Sequence, residues 1–223
     1  MNNKKVVLVL SGGLDSTTLL YKLLDDGYQV FAISFDYGQR HSRELEQAQK
    51  TTASLAIPHK IIDLTSVNKV MGGSSLTRPE IETPKGHYAD ETMKITVVPN
   101  RNMIMLSVAV AWAVTIEANK VFFGAHAGDH DIYPDCRKEF VDVLSKATEI
   151  ANYVPVTIEA PFIDMDKGDI AILGKQLNVD YSSTHTCYVG LETACGKCGA
   201  CVERKEAFLK AEMLDPIQYT DSG

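Results

Sequence analysis

The sequence predicts an α/β fold, in which a doubly wound, mostly parallel sheet is flanked by helices and followed by a small metal-binding segment of four cysteines. Three observations predict it. Short apolar runs alternate with amphipathic stretches, a glycine-rich turn follows the first apolar run, and four of the five cysteines lie close together near the end of the sequence. Strands that alternate with helices form parallel sheets through right-handed crossovers. We therefore place an α/β domain at residues 1–180 and the cysteine segment, with its helix, at residues 181–223.

Five strands and six helices are predicted, and one long segment interrupts them. The strands are residues 6–10, 30–35, 60–64, 121–123 and 156–160. The first is a continuous apolar run, which is typical of a strand buried on both faces of a parallel sheet. The helices are an early one that ends before Gly27, then residues 41–55, 102–118, 139–151, 167–177 and 200–213. The helix at 102–118 is expected to be buried all round. Residues 65–95 are rich in glycine and proline and exceed the usual connection length, so we expect a functional lid or a mobile insertion there.

Composition excludes several classes of protein. The 223 residues are 45% hydrophobic and 23% charged, and 22 basic against 29 acidic residues give a net charge of −7. Because phosphate neutralisation needs clustered Lys and Arg, no nucleic-acid partner is expected. The longest uncharged run, residues 102–116, is shorter than the roughly 20 apolar residues of a membrane-spanning helix. We expect a cytoplasmic protein without a membrane partner, whose cysteines are thiols or metal ligands.

The turn after the first predicted strand is the hexapeptide SGGLDS, residues 11–16. Its two glycines allow a tight turn with exposed amides. The hydroxyls of Ser11 and Ser16 and the positive end of the following helix favour an anion, and phosphate in particular. The alternative is an ordinary capped turn between a strand and a helix. Neither G-x-x-x-x-G-K-[ST] nor G-x-G-x-x-G is present at this turn.

This hexapeptide resembles the pyrophosphate loop (PP-loop), S-G-G-x-D-S, of the ATP-pyrophosphatase superfamily, whose members split ATP between the α and β phosphates and adenylate an acceptor. The resemblance implies an adenine nucleotide alpha-hydrolase-like fold, with Mg²⁺ held in part by Asp15 and adenine near Ser34. The residues it assigns to ATP are Leu10, Ser11, Gly12, Gly13, Leu14, Asp15, Ser16 and Ser34. Lys167 resembles the lysine of the second superfamily motif, which faces the phosphates, although Asp166 stands where the family often has Thr. A solvated lysine at a helix start is the alternative.

The cysteine cluster reads C-x7-C-x2-C-x2-C, with Cys187, Cys195, Cys198 and Cys201. Four thiolates at this spacing are typical of a closed tetrahedral Zn²⁺ site, and the absence of an open position favours a structural role. An iron–sulfur cluster is the alternative, although the fourth Cys and Pro of ferredoxin runs are missing downstream. Cys136 is left over. We interpret it as a partly buried structural cysteine, with a nucleophile activated by nearby His and Arg side chains as the alternative.

Four segments together resemble one branch of the superfamily, the 7-cyano-7-deazaguanine synthases of queuosine precursor synthesis. They are the PP-loop, FDYGQRH at residues 35–41, YPDCR at residues 133–137, and the cysteine cluster. The resemblance implies a ligase that converts 7-carboxy-7-deazaguanine, ammonia and ATP to the nitrile through an adenylated acid, an amide and an adenylated amide. It also suggests a homodimer.

The resemblance assigns candidate roles to residues outside the PP-loop. The catalytic candidates are Asp15, Lys167, Arg101 and His41, and the substrate-binding candidates are Tyr37, Gln39, Arg40, Asp129, Asp131, Tyr133, Asp135 and Arg137. Arg101 would pair with a phosphate or the substrate carboxylate, the aspartates would accept hydrogen bonds from a guanine-like edge, and His41 would move protons near neutral pH. The alternatives are a surface arginine, acidic turn residues, a helix-face histidine and packed tyrosines.

Two other functions are compatible with a PP-loop. A tRNA-modifying sulfur transferase would also adenylate its substrate, but the acidic charge, the lack of an appended basic domain and the closed cysteine arrangement argue against it. A nucleotide-sensing or zinc-stabilised binding module would bind ATP without cleaving it.

Overall fold

One five-stranded parallel sheet forms the centre of the computed structural model, which describes residues 4–40, 43–78, 80–84 and 91–220. The strands are β1 (Lys5–Val9), β2 (Gln29–Asp36), β3 (His59–Asp63), β4 (Lys120–Phe122) and β5 (Thr157–Glu159). They lie in the order β3-β2-β1-β4-β5, and all four neighbouring pairs are parallel. The predicted doubly wound sheet is confirmed, and each strand agrees with its predicted bounds to within one residue at either end.

Six α-helices flank the sheet in the described part of the chain. They are α1 (Leu14–Asp25), α2 (Arg43–Ser54), α3 (Arg101–Thr115), α4 (Lys138–Ala151), α5 (Lys167–Gln176) and α6 (Gly199–Lys210). Residues 41 and 42, where the second helix was expected to begin, lie outside the described residues. Gly27 follows α1 with a φ of +79°, the left-handed conformation that glycine adopts most easily. No described helix is both long enough and apolar enough to cross a membrane.

The side chains of β1 are buried against two different layers of helices. Val6 and Leu8 pack with residues of α1, α5 and α6, whereas Val7 packs on the other face with residues of α3 and α4. All three side chains are completely buried. The continuous apolar run of β1 therefore reflects a strand that is covered on both faces, as expected for a parallel sheet.

Helix α3 differs from its prediction because only one of its faces is covered. Met105, Leu106 and Ala109 are buried against the sheet, but Met103 and Val114 are each 39% exposed. The expectation that this helix is buried all round is wrong. The apolar composition of its outer face conceals the one-sided packing that a layered α/β architecture imposes.

The described parts of the segment at 65–95 are packed into the core rather than standing apart from it as an insertion. Met71, Leu76 and Met93 are almost completely buried in the same cluster as α3. The Ser75 amide also donates to the carbonyl of Ile95, at 2.9 Å, which ties the last residue of the segment to its first half. Residues 79 and 85–90 lie outside the described residues, and the role of a lid stays a prediction.

The strand order places a crevice at the carboxyl ends of β1 and β4. The chain winds from β1 to β2 and β3 on one side and returns to β4 and β5 on the other, and ligands bind at such switch points in open α/β sheets. The loop after β4 and the start of α1 approach each other closely at this crevice. A Cβ added at Gly124 would lie 3.3 Å from the amide nitrogen of Ser16.

The segment after residue 180 is held together by a buried arginine of α6. The Arg204 side chain is fully buried, and its Nε and Nη2 donate to the two carboxylate oxygens of Asp215 at 2.9 and 3.0 Å. Its Nη1 donates to the hydroxyl of Thr184 at 2.8 Å. Such a pair stabilises the fold only while both partners are present, because a buried charge without its partner is strongly unfavourable.

We expect the substitution Asp215→Ala to lower the free energy of unfolding by about 3–5 kcal/mol, because it leaves the Arg204 guanidinium buried without its carboxylate. Urea denaturation in zinc-supplemented buffer measures this. The control is Asp142→Ala, which removes an exposed ion pair with Lys138 and should cost no more than about 1 kcal/mol. A similarly small decrease in the free energy of unfolding in both variants would contradict the stabilising role of the Arg204–Asp215 pair.

Candidate active site

A cleft opens at the predicted edge of the sheet and is lined by the PP-loop and the starts of α2, α3 and α5. Most predicted ATP-binding residues and several predicted catalytic and substrate-binding residues face it. Those that line the cleft are Leu10, Ser11, Gly13, Leu14, Asp15, Ser16, Tyr37, Gln39, Arg101, Asp129 and Lys167. The sheet topology therefore brings together side chains that are more than 150 residues apart in sequence.

The PP-loop depends on the absence of a side chain at Gly12. Its φ is +89°, and a Cβ at this position would lie 2.1 Å from the carbonyl oxygen of Glu44 in α2. The Gly12 carbonyl also accepts from the amide of His185, at 3.1 Å, so the loop is held from two sides. Any L side chain at Gly12 would be strained by its backbone conformation and would collide with the backbone of α2.

Hydroxyls and amides of the PP-loop converge at the start of α1. The hydroxyls of Ser11 and Ser16 are 3.0 Å apart, and the Gly13 amide donates to the Ser11 hydroxyl at 3.2 Å. Gly13 is the N-cap of α1, and because it has no side chain it cannot make a capping hydrogen bond to the first amides of the helix. The first amides of this helix are therefore available to an anion that enters the cleft.

Lys167 is the first residue of α5, and its ammonium is held by carboxylates from two other helices. It is 7% exposed, with Nζ 2.5 Å from Oε2 of Glu203 and 3.4 Å from Oδ2 of Asp15. The solvated-lysine alternative is therefore wrong. Asp166 directly before it is the N-cap of α5, since its side chain accepts from the amide of Asp169. This capping role explains why Asp166 is compatible with a helix start.

The charge of Lys167 is stabilised although the residue is buried. Burial lowers the pKa of this ammonium, but the carboxylates of Asp15, Glu203 and Asp129 outweigh the effect and raise it overall. Burial raises the pKa of Glu203, and the nearby Lys167 partly offsets this. Sequence reasoning missed Glu203, because only the packing of α6 against α5 brings it to Lys167.

Asp15 has one carboxylate oxygen that no described group satisfies. Its Oδ1 is buried without a hydrogen-bond partner, while Oδ2 lies 3.9 Å from Nε2 of His126. Nδ1 of His126 accepts from the amide of Gly128 at 3.1 Å, which leaves Nε2 as the protonated nitrogen of the neutral ring. A buried carboxylate oxygen without a partner, beside an anion-binding loop, fits a hard cation such as Mg²⁺.

Arg101, the first residue of α3, lies among tyrosines in the cleft. Asn100 precedes it in the left-handed conformation, with a φ of +58°, and the guanidinium lies 5.7 Å from the ring centre of Tyr133. The hydroxyl of Tyr133 is within hydrogen-bond distance of Thr96, at 2.6 Å, and of Tyr188, at 3.3 Å. Tyr133 therefore packs against the Arg101 guanidinium but is not itself among the residues that line the cleft.

Glu44 is a second acidic residue that sequence reasoning missed. It lies in the first turn of α2 and lines the cleft. Burial raises its pKa to about 8, although Arg101 and Lys167 act in the opposite direction. Its position follows from the close contact of α2 with Gly12, and the sequence of α2 alone contains no signal of it.

Several predicted ligand-binding residues are engaged in local structure outside the cleft lining. Ser34 is buried, with its hydroxyl near the Leu10 carbonyl, at 2.5 Å, and Nε2 of His59, at 2.7 Å. Arg40 donates to the carbonyl of Ile81 at 3.3 Å. Their assignment to ATP and to substrate stays a prediction. His41 lies outside the described residues.

The predicted residues of the 129–137 segment are divided between the cleft and its support. Asp131 and Arg137 are exposed, and Nε of Arg137 donates to the carbonyl of His130 at 2.8 Å. Asp135 accepts from the Asn102 amide at 3.0 Å, at the start of α3. Among these residues, Asp129 alone was both predicted as a ligand-binding residue and found in the cleft lining.

Cys136 lines the cleft but does not have the environment of a nucleophile. Its sulfur accepts from the side-chain amide of Asn102 at 3.2 Å. Burial and the nearby Asp129 raise the pKa of this thiol well above its ordinary value. A reactive cysteine needs the opposite shift, so the structure favours the interpretation of Cys136 as a structural residue.

The four cysteines of the predicted cluster form one group whose sulfurs lie within 4.8 Å of one another. A tetrahedral site with metal–sulfur bonds of about 2.3 Å spaces its sulfurs about 3.8 Å apart. The sulfurs of Cys195 and Cys201 are 3.9 Å apart, in agreement with this. The amides of Cys195 and Cys198 also donate to sulfurs of the group, each at 3.3 Å. The residues present fit a metal ion bound by four thiolates.

Residues that flank the cysteine cluster form part of the cleft wall. Thr186 and Tyr188, which flank Cys187, and Ala200, which precedes Cys201, all line the cleft. Hydrogen bonds from the Cys198 and Cys201 thiols and from backbone amides lower the pKa of Cys187. The metal-binding segment and the anion-binding loop therefore belong to one site.

Comparison with solved structures agrees with the fold. The NMN synthetase from Francisella tularensis aligns with a TM-score of 0.52 at 12% identity, over 95% of this chain and 85% of its own. A 4-thiouridine synthetase, solved as an RNA complex with bound ATP, aligns with a TM-score of 0.51 at 15% identity, over 93% of this chain and 50% of its own. At these identities the likeness shows the fold alone.

Sequence relatives are far more similar. Three proteins named 7-cyano-7-deazaguanine synthase, from Pseudoalteromonas atlantica, Caldicellulosiruptor bescii and Methanoregula boonei, are 55%, 54% and 54% identical. Each alignment covers 96–97% of this chain and 97–99% of the relative. The sequence model of the family described as "Queuosine biosynthesis protein QueC" matches residues 5–212. This chain belongs to the QueC family of queuosine biosynthesis proteins.

Proposed function

We propose that this protein is a 7-cyano-7-deazaguanine synthase, a ligase that uses ATP to convert 7-carboxy-7-deazaguanine and ammonia to the nitrile. The observation that carries the proposal is the identity of 54–55%, over nearly the whole chain, with relatives of that name. The cleft supports it, because a phosphate-binding loop, Asp15 and Lys167 meet there.

The first step makes the unreactive carboxylate of the substrate an electrophile. A carboxylate oxygen attacks the α phosphorus of ATP, pyrophosphate leaves, and a mixed anhydride with AMP forms. The PP-loop amides and Lys167 would stabilise the negative charge that develops on the phosphates. Asp15, with its unsatisfied Oδ1, would hold Mg²⁺, which when bound neutralises phosphate charge and orients the triphosphate.

The later steps form the carbon–nitrogen bonds. Ammonia attacks the acyl carbon, AMP leaves, and a proton is released as the amide forms. The amide oxygen then attacks the α phosphorus of a second ATP and pyrophosphate leaves. Loss of AMP and of both protons of the amide nitrogen yields the nitrile. Glu44, whose pKa is raised to about 8 by burial, is suited to exchange protons close to neutral pH. Arg101 would pair with the substrate carboxylate, since it brings a second cation to the cleft.

The cysteine cluster would bind one structural Zn²⁺ ion. All four sulfurs of the group belong to cysteine, so a tetrahedral ion would have no open position for water or substrate. The homodimer and the cytoplasmic location expected from the sequence stay predictions.

Product identification tests the reaction directly. With ATP, Mg²⁺, ammonium and 7-carboxy-7-deazaguanine, we expect the nitrile by mass spectrometry, together with one AMP for the acid step and one for the amide step. Each AMP should be matched by one pyrophosphate. Formation of ADP and orthophosphate, or of amide alone, would contradict the proposal.

We expect Asp15→Asn to lower kcat/KM at least about a hundredfold, the loss typical of removing one electrostatic contact to the transition state. The variant keeps the side-chain volume and removes the charge that would hold Mg²⁺. The matched control is Asp25→Asn, which neutralises an exposed carboxylate on the same helix and should keep full activity. AMP release by Asp15→Asn at the wild-type rate would exclude the role.

We expect Cys198→Ser to lose the bound metal and to lower the melting temperature, because metal binding is coupled to the folding of the segment that supplies the ligands. Elemental analysis should find about one zinc per chain in the wild type. Cys136→Ser is the matched control, since it replaces the described cysteine outside the cluster and should keep the zinc. Iron in the wild-type protein, or zinc retained by Cys198→Ser, would overturn the assignment.

A further inference from the structure

Two carboxylates near the ammonium of Lys167, those of Glu203 and Asp15, differ in distance and in position. Glu203 is the nearer, at 2.5 Å, and belongs to α6; Asp15, at 3.4 Å, belongs to α1. The second oxygen of Glu203 lies against the loop after β4, because a Cβ at Gly128 would be 2.9 Å from it. The Glu203 carboxylate is therefore held between two elements.

The helix that carries Glu203 is fixed on both sides of it in sequence. Cys201, two residues earlier, belongs to the cysteine group, and Arg204, the next residue, forms the buried pair with Asp215. Glu203 has little freedom to follow Lys167 if the ammonium moves. By contrast, the ammonium ends a long flexible side chain that can reach either carboxylate.

Adenylation places opposing demands on the Lys167–Asp15 pair. The proposed function needs Asp15 to hold a cation and Lys167 to face the phosphates. The ammonium already lies 3.4 Å from Oδ2 of Asp15, and an ammonium paired with Asp15 competes with a metal cation for the charge of the same carboxylate. Without Glu203, less negative charge would hold the ammonium on the side away from Asp15, and its pairing with Asp15 would strengthen.

We infer that Glu203 is a positioning residue, which competes with Asp15 for the Lys167 ammonium and so leaves the Asp15 carboxylate available to a cation. The inference rests on the proposed function, because it assigns Glu203 to the same adenylation site. The cysteine segment would then have a second role, because α6, which begins within the cysteine cluster, also carries the carboxylate that contacts Lys167.

Binding of a non-cleavable nucleotide tests this without requiring turnover. Isothermal titration calorimetry with α,β-methylene-ATP, at a series of Mg²⁺ concentrations, measures both the affinity and the Mg²⁺ requirement. In Glu203→Gln we expect the Kd to rise about tenfold or more, as for loss of a hydrogen bond to a charged group, and half-saturation to need more Mg²⁺. The matched control, Glu206→Gln, removes an exposed carboxylate from the same helix and should change neither quantity.

A double-substitution cycle shows whether Glu203 acts through Lys167. In a Lys167→Met background, Glu203→Gln should have no further effect on the Kd, because the group it positions is gone. Zinc content and melting temperature are measured for every variant. Glu203→Asp, which keeps the charge on a shorter side chain, should give an intermediate Kd and serves if Glu203→Gln does not fold.

Four outcomes would overturn the inference. Unchanged nucleotide binding in Glu203→Gln would show that this carboxylate has no positioning role. Tighter binding would show that it repels the phosphates. Additive effects in the cycle would show that Glu203 acts independently of Lys167, and wild-type affinity in Glu203→Asp would also contradict a positional role. If the wild type forms nitrile while the Glu203 variants bind normally, the inference alone fails. If the wild type binds the nucleotide but forms no AMP with the acid, the proposed function fails.

Discussion

The backbone contact at Gly12 sets the geometry on which the cleft depends. Because this position has no Cβ, the carbonyl of Glu44 rests directly on the PP-loop, and the amide of His185 holds the loop from the other side. Helix α2 and the segment before the cysteine cluster therefore both take their positions from one glycine. The loop amides are oriented before any nucleotide arrives, which is the preorganisation that electrostatic catalysis requires.

Two cations from different helices line the cleft. Lys167 lies with Asp15 and Glu203, whereas Arg101 lies with Tyr37 and Tyr133 at the start of α3. A reaction between a triphosphate and a carboxylate joins two anions, and two cationic side chains allow both to enter one crevice. The acidic side chain of Glu44 also lines this cleft, and both cations act on its pKa.

The fold and the PP-loop were predictable from sequence because both depend on local sequence patterns. Apolar runs of strand length gave all five strands, and SGGLDS identified the anion-binding turn. Glu44, His126 and Glu203 were not predictable, since each reaches the site only through the packing of its own element against another. Conversely, some side chains in recognisable motifs already accept hydrogen bonds within the fold, as Asp135 does at the start of α3. A motif identifies which residues are near a site, but the hydrogen bonds decide which of them are available to a ligand.

The position of the cysteine cluster has a physical reason in the irregular backbone around it. Between the 3-10 turn that ends at Ser183 and the start of α6 at Gly199, the chain contains no helix or strand longer than an isolated bridge. Such a segment lacks the backbone ladders that fix a sheet or a helix, yet it supplies Thr186 and Tyr188 to the cleft. A four-thiolate ion would cross-link this stretch to the first turn of α6 and would supply the rigidity that secondary structure does not. The cysteine cluster is therefore placed where residues of a loop line the cleft.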